Sequence, residues 1–258
     1  MLGGELTLTH VFSADLSGFV GLSRGYKAGG FNLGLVPEGR REFDQEGIWN
    51  FEAGIRSRWF ESQLGLDLSV FMSRRDDQQV RTSVQLDPGD PTTFVFFTDN
   101  AARGDSVGLE AELRWVPVDV LDLYANLGLL RARFDEFDTA GANLDGRDQA
   151  HAPRYTAALG GRYTHPSGLF VQLDASAKDA FYFDVSHGRK SAPYELYNAR
   201  AGYVAEQWTL AVWVRNLSDE RYAVRGFFFG NEPPDFAPAV YTRLGDARQA
   251  GITFEWEF

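Results

Sequence analysis

The chain contains no cysteine, so neither a disulfide framework nor a thiolate metal site is open to it. It also lacks any run of about 18 apolar residues, and no transmembrane helix is expected. The opening Met1-Leu2-Gly3-Gly4-Glu5 has neither a basic flank nor an apolar signal core. If the chain is exported it needs such a signal, and without one it reads as a processed form or a piece of something longer. Cations are in the minority, with 25 Lys and Arg against 36 Asp and Glu and a net charge of −11. That balance argues against a nucleic-acid partner, which calls for a basic face. The histidines His10, His151, His165 and His187 form no HxxxH-type pair, and GxSxG, Walker A and GxGxxG phrases are missing. No cofactor, metal centre or catalytic constellation is expected, and the chain does not read as an enzyme.

What is present is strict alternation. Val107, Leu109, Ala111, Leu113 and Trp115 alternate with Gly108, Glu110, Glu112 and Arg114. A strand sends successive side chains to opposite faces, so one face is apolar and the other charged. A helix would scatter both classes round its circumference. The same pattern recurs from Leu64 to Met72, Leu121 to Leu129, Trp208 to Val214 and Ile252 to Phe258. These strands exceed the usual length of about 5–6 residues and suit a tilted membrane strand of about 9–11. A soluble sandwich or lipocalin-like barrel also uses long alternating strands. It accounts for neither their number nor the rhythm of their connections.

That rhythm is regular. Short connections fall near residues 13–15, 60–62, 116–118, 165–167 and 205–206, and long ones lie between them. Outer-membrane barrels have short periplasmic turns and long external loops. The spacing predicts eleven main strands, near 5–12, 16–25, 47–59, 63–76, 104–115, 119–133, 153–164, 168–180, 194–204, 207–217 and 248–258. An extra hairpin within 78–99 would leave the parity unchanged. Eleven is odd, so the first and last strands run the same way, and closing the chain on itself would pair them in parallel. Bacterial single-chain barrels have even strand numbers. The expected fold is therefore all-β: an antiparallel transmembrane barrel segment lacking earlier strands.

Trp59, Trp115, Trp208 and Trp256 share the apolar parity of their strands, and each lies beside a short turn or the C-terminus. Indole rings favour the headgroup interface, where the ring is buried and the N–H stays wet. All four are expected to point outward at the periplasmic rim as a lipid girdle. Phe254, Trp256 and Phe258 put aromatics at alternate final positions. This looks like the signature that barrel-assembly machinery reads, although an amphipathic last strand also produces it.

Several phrases together resemble the C-terminal barrel of TonB-dependent receptors. They are Ser23-Arg24-Gly25-Tyr26-Lys27-Ala28-Gly29-Gly30-Phe31-Asn32, then Trp49-Asn50-Phe51-Glu52-Ala53-Gly54 with Ser57-Arg58-Trp59. Gly108-Leu109-Glu110-Ala111-Glu112, Ala152-Pro153-Arg154-Tyr155-Thr156 and Asn216-Leu217-Ser218-Asp219-Glu220-Arg221-Tyr222 follow in order. The resemblance covers essentially the whole chain, residues 1–258. It implies the second half of a 22-stranded barrel in the bacterial outer membrane. The implied partners are lipid, the barrel-assembly machinery, and a missing N-terminal plug and barrel half. TonB would be engaged only through that missing part. The implied cargo is a small molecule or metal chelate such as a ferric siderophore.

Two loops carry candidate contacts. The last contains Phe227, Phe228, Phe229 and Asp235, which could meet substrate or could simply pack on their own loop. The other contains Asp135, Glu136, Asp138, Asp145 and Asp148, which could hold Ca²⁺ or could be solvated. Glu110 and Glu112 share the polar face of one strand and read as lumen lining rather than an acid/base pair. The functions in competition are an energised importer, a passive porin-like pore and an outer-membrane enzyme. Facing is directly testable. Arg at a lipid-facing mid-strand site costs roughly 2–4 kcal/mol at the midplane. Leu68→Arg is therefore expected to lower stability in a bilayer refolding titration far more than Asp67→Arg, and equal losses would refute the facing assignment.

Overall fold

A computed structural model describes residues 2–258 apart from 88, 89, 91, 92, 140, 141 and 186. In chain order its strands are β1 (Gly4–Ser13), β2 (Leu16–Lys27), β3 (Gly30–Phe31), β4 (Glu42–Phe43), β5 (Glu46–Trp59) and β6 (Leu64–Gln85). There follow β7 (Phe94–Val118), β8 (Leu121–Thr139), β9 (Ala142–Asn143), β10 (Tyr155–Thr164) and β11 (Leu169–Lys178). The last are β12 (Tyr194–Val204), β13 (Trp208–Arg215), β14 (Ala223–Gly230), β15 (Pro238–Leu244) and β16 (Gln249–Trp256). Eleven of them form one antiparallel sheet in the order β1-β2-β5-β6-β7-β8-β10-β11-β12-β13-β16, and β9 pairs with the end of β8. The eleven fall where the alternation places them, and the sheet is open between β1 and β16.

Register keeps one face apolar right across the sheet. Directly opposed residues share a face, and one such row runs Leu16, Ser57, Leu66, Leu113, Ala125, Leu159, Ala175, Tyr197. The row starts at a short turn on β2 and ends near the long-loop end of β12. This stagger is what strand tilt produces in a barrel. The apolar face is largely open, with Leu8, Val20, Met72, Leu159, Leu173 and Ile252 all exposed. Soluble monomers rarely expose more than a few hundred Å² of contiguous apolar surface. A face spanning eleven strands requires a non-aqueous covering.

The opposite face is polar and concave. A cavity of about 870 Å³ on that side takes in Arg58 of β5, Arg114 of β7, Tyr124 of β8, Arg162 of β10 and Gln172 of β11. Five successive strands beyond β5 can share one cavity only if the sheet curls toward its polar face. At each hairpin closed by a long loop, an aromatic ring on this face lies opposite a glycine. The pairs are Phe19 with Gly54, Phe71 with Gly108, Tyr124 with Gly160, Phe170 with Gly202, and Trp213 with Gly251. A Cβ on any of these glycines would collide with the facing ring. The ring fills the space a side chain would need, so the glycines are sites of close packing rather than of flexibility.

The sequence leaves the 78–99 region open, and among the described residues it adds no separate strand. It lengthens β6 and β7, which pair from Gln78 with Ala102 out to Gln85 with Phe94; the tip, at 88–92, lies largely outside the described residues. At about 3.3 Å per residue, this arm projects well beyond a membrane-spanning length. Conversely, the last long loop is itself a hairpin, β14 with β15, which the alternation does not announce.

Amide side chains pin the first long loop to the projecting arm. Asn32 donates Nδ2–H to the Thr98 carbonyl and accepts the Thr98 N–H, both at 2.8 Å, in the way a strand neighbour would. Asn100 accepts the Asp44 N–H at 2.6 Å and donates to the Asp44 carbonyl at 3.0 Å. Gln79 donates to the carbonyls of Ala28 and Asp44, each at 2.8 Å.

The aromatic–glycine pairing is testable by overfilling. Gly108→Ala is expected to destabilise the barrel by about 1–3 kcal/mol, the usual cost of overpacking, because Phe71 must move. Gly47→Ala, where a Cβ meets nothing within 4 Å, is expected to be neutral. Equal urea midpoints for the two variants would show that the rings do not seal the glycines.

Candidate functional site

The long-loop end is where separate segments converge. Phe134 and Phe137, the most buried large side chains at 2% and 1% exposed, close a small core with Val80 and Ala102, against which Leu144 and Val185 rest. Beside it the segment 179–193 turns its alternating aromatics two ways. Phe181 and Phe183 are buried and meet edge to face at 5.8 Å, while His151 lies 5.2 Å from Phe181. Tyr182 is held between two cations, with Arg147 4.2 Å and Lys190 4.1 Å from its ring centre. Such contacts contribute about 0.5–1 kcal/mol each at exposed sites and more when desolvated.

Phe183 also fixes the last hairpin, because Gly226 of β14 lies directly on its ring and leaves no room for a Cβ. The run Phe227-Phe228-Phe229 is extended, so its rings alternate in facing. Phe228 turns to the 179–193 segment and is flanked by His187 at 5.4 Å and Arg189 at 5.2 Å. Phe227 and Phe229 point away and stay 45% and 44% exposed, and Phe229 stacks 5.1 Å from Tyr241. Asp235 is exposed in the turn between β14 and β15. Phe228 thus packs inward, while Phe227, Phe229 and Asp235 stay exposed.

At the foot of the hairpin, Asn216 is buried and fully engaged. It donates to the carbonyls of Glu220 at 2.9 Å and Asp246 at 3.0 Å, and accepts the Glu220 N–H at 2.8 Å. One side chain thus joins the exit from β13 to the return into β16.

The acidic loop is occupied by its own partners. Asp148 bonds Arg133 at 3.0 Å and Arg154 at 3.0 Å. Burial raises the Asp148 pKa, but these two guanidinium groups outweigh it and hold the carboxyl below its ordinary value. Asp145 accepts the Phe137 N–H at 2.8 Å, and Glu136 pairs with Arg103 at 3.0 Å. The Asp138 side chain lies outside the described residues. Among the described residues no three His, Asp or Glu converge as a metal site.

The concave face below carries fixed charge. Arg58 pairs with Asp67 at 2.6 Å and Arg114 with Asp122 at 2.7 Å, and the Tyr124 hydroxyl donates to Asp174 at 2.8 Å. Arg162 lies 4.0 Å from the Phe170 ring centre. Glu110 and Glu112 stand on this polar face, opposite Ser69 and Asp67. Because Asp67 holds Arg58, Asp67→Arg has a cost of its own. An exposed ion pair contributes at most about 1 kcal/mol, below the penalty expected at Leu68.

The tryptophans lie at one end. Trp59 ends β5, Trp115 lies three residues before the end of β7, and Trp208 opens β13 opposite Trp256 at the end of β16. Trp59 and Trp115 both face Leu64 across adjacent ladders, so all four share the apolar parity. Phe254 stacks between Trp208 at 6.3 Å and Trp256 at 6.2 Å, and Phe258 is fully exposed.

The fold and its two faces define an outer-membrane β-barrel segment, apolar outside and polar within. Residues 4–217 match the family described as TonB dependent receptor-like, beta-barrel, and the chain belongs to that family. The pesticin receptor of Yersinia pestis is 25% identical over 99% of this chain, which spans 36% of that protein. Among solved structures, the ferric yersiniabactin uptake receptor FyuA from Yersinia pestis matches with a TM-score of 0.79 at 22% identity, over 98% of this chain and 37% of that one. The siderophore receptor PiuA from Acinetobacter baumannii matches at 0.71 and 20% identity, over 97% of this chain and 35% of that one. The chain thus spans about a third of these relatives.

Sequence reasoning missed the Arg147–Tyr182–Lys190 stack and the Phe183–Gly226 seat. The alternating Phe181-Tyr182-Phe183 was the available signal, since three aromatics in a supposed solvent loop ask for a packing partner. His187 supplies a test of this cluster. Burial lowers its pKa below the ordinary 6.5, and Arg147 and Arg189 add to that against Asp184. The folded loop prefers the neutral ring, so its packing is complete above about pH 6.5 and weakens as pH falls toward the lowered value. Proteolysis within 181–193 should therefore accelerate in mild acid, and His187→Phe should flatten the response. An identical pH profile in that variant would remove His187 from the account.

Proposed function

We propose that this chain is the C-terminal half of the barrel of a receptor that imports a scarce metal chelate, such as a ferric siderophore. The observation that carries the reading is the open eleven-stranded sheet, whose first and last strands run in the same direction. An unpaired edge in lipid costs several kcal/mol per backbone group, so β1 and β16 require further strands of a larger barrel. Membership of the receptor family and the one-third coverage of siderophore receptors support the same conclusion.

In this reading the long loops face outside the cell and the short turns face the periplasm. Trp59, Trp115, Trp208 and Trp256 form the periplasmic lipid girdle. Phe254, Trp256 and Phe258 form the mark read by the barrel-assembly machinery. Phe227, Phe229 and Asp235 meet substrate from the last outer hairpin, while Phe228 anchors that hairpin to its neighbour. The charged concave face receives a plug domain carried by the missing N-terminal part, and TonB acts through that plug. Nucleic acid has no place in this scheme.

The test is complementation in a receptor-null strain. Expressed with an export signal but alone, the chain should be degraded or aggregate, with no heat-modifiable band. Co-expression with an upstream half bearing the plug should restore energy-dependent uptake. Uptake by a folded monomer of this chain alone would overturn the half-barrel reading.

A further inference from the structure

The apolar face is uncharged over most of its height and then changes abruptly. Near the short turns the residues of its parity are Trp59, Leu64, Trp115, Leu123, Tyr163 and Leu210. Toward the long loops the same parity reaches Arg24 on β2, Arg74 on β6, and Arg131 and Arg133 on β8. Arg24 lies opposite Trp49, Trp49 opposite Arg74, Arg74 opposite Asp105, and Asp105 opposite Arg133. Arg131 lies one row below, opposite Val107 and level with Met72 and Phe51. These arginines therefore point the way the leucines do, outward.

Their counter-charges are unequal. Arg133 is held by Asp148 at 3.0 Å, and Arg103 at the β7 bulge bonds Asp76 at 3.3 Å and Glu136 at 3.0 Å. Arg74 reaches Asp76 at 3.6 Å and lies opposite Asp105, so it is shared with carboxylates where Arg24 and Arg131 are not. Arg24 and Arg131 are exposed, and among the described residues neither has a carboxylate within 4 Å. Arg24 instead lies 5.2 Å from the Trp49 ring centre, a cation against an interfacial indole.

A cation at the edge of a lipid-facing band rests at headgroup depth, its stem along apolar surface and its head toward water. A guanidinium without a protein partner presents a planar fork that fits two oxygens of one phosphate. We propose that Arg24 and Arg131, with Arg74 between them, hold the phosphate groups of anionic lipids at the long-loop rim. The inference rests on the apolar face being lipid-facing. From β2 to β8 is four inter-strand steps of about 4.8 Å, or about 19 Å, so the patch spans more than one head group. The two rims then differ in chemistry: indoles without charge at the short turns, and arginines beside Trp49 and Asp105 at the loops.

The full receptor containing this chain is titrated with short-chain phosphatidic acid and, separately, phosphatidylcholine, and bound lipid is read by native mass spectrometry. Wild type should prefer phosphatidic acid. Replacing both Arg24→Gln and Arg131→Gln should lower that preference by about fivefold per arginine, with phosphatidylcholine retention unchanged. Arg24→Lys with Arg131→Lys should keep part of the preference, since charge remains and the fork is lost. Arg56→Gln, on the concave face, removes the same charge and should change nothing. Heat-modifiable mobility checks folding, and the lysine pair gives the same readout should the glutamine pair fail to fold. No preference in wild type, an unchanged preference in the double variant, or an equal loss with Arg56→Gln would each overturn the proposal. Lipid selection without substrate uptake would count against the importer reading alone.

Discussion

Backbone hydrogen bonding in a medium without water is the constraint on which the rest of this structure depends. A bilayer core offers no partner to a peptide N–H or C=O, so each strand must find its partners in its neighbours. The eleven strands do this in an unbroken antiparallel ladder. Once the ladder exists, strand geometry divides side chains between two solvents. The lipid-side row that includes Leu66, Leu113 and Leu159 and the polar Asp67, Glu112 and Asn126 follow from the same register. A slip of one residue in any pairing would exchange the two faces. At β1 and β16, which bound the sheet, the ladder alone does not meet the constraint.

The inner face meets a second demand, which is to hold shape around a wide, hydrated space. Rings pressed onto glycines at all five long-loop hairpins supply contact where a narrow barrel would use a filled core. Ion pairs such as Arg58–Asp67 and Arg114–Asp122 fix charge on the lumen wall. Each contributes little by itself in contact with water. Their consequence is an inner surface patterned with fixed charge.

Beyond the membrane the physics changes. The long loops have water available, yet they form a compact cap built on Phe134, Phe137, Phe181 and Phe183. Asn32 bonds the backbone of Thr98 on β7, and Gln79, Asn100 and Asn216 satisfy loop backbone groups that have no ladder. A hairpin seated by Phe183 with Phe227 and Phe229 exposed is an ordered surface, not a random coil.

The sequence by itself determined the eleven strands, their facing, the sorting of short turns from long loops, and the placement of four tryptophans at one rim. It did so because period-two alternation is a local property: each strand records its two solvents in its own residues. The loop cap was decided only by tertiary structure. Gly226 meets Phe183, Arg147 meets Tyr182, and Asn32 meets Thr98, and no spacing in the chain announces such partners. The three consecutive phenylalanines at 227–229 show no alternation of residue type, so the hairpin that splits them between packing and exposure stayed hidden. The arm of β6 and β7 was legible as strand but not as a continuation, since two one-residue register shifts, one on each strand, flank Gln78 and interrupt the alternation. Local pattern reports which solvent a residue faces. It cannot report which distant side chain stands in for that solvent, because that contact exists only once the chain has folded.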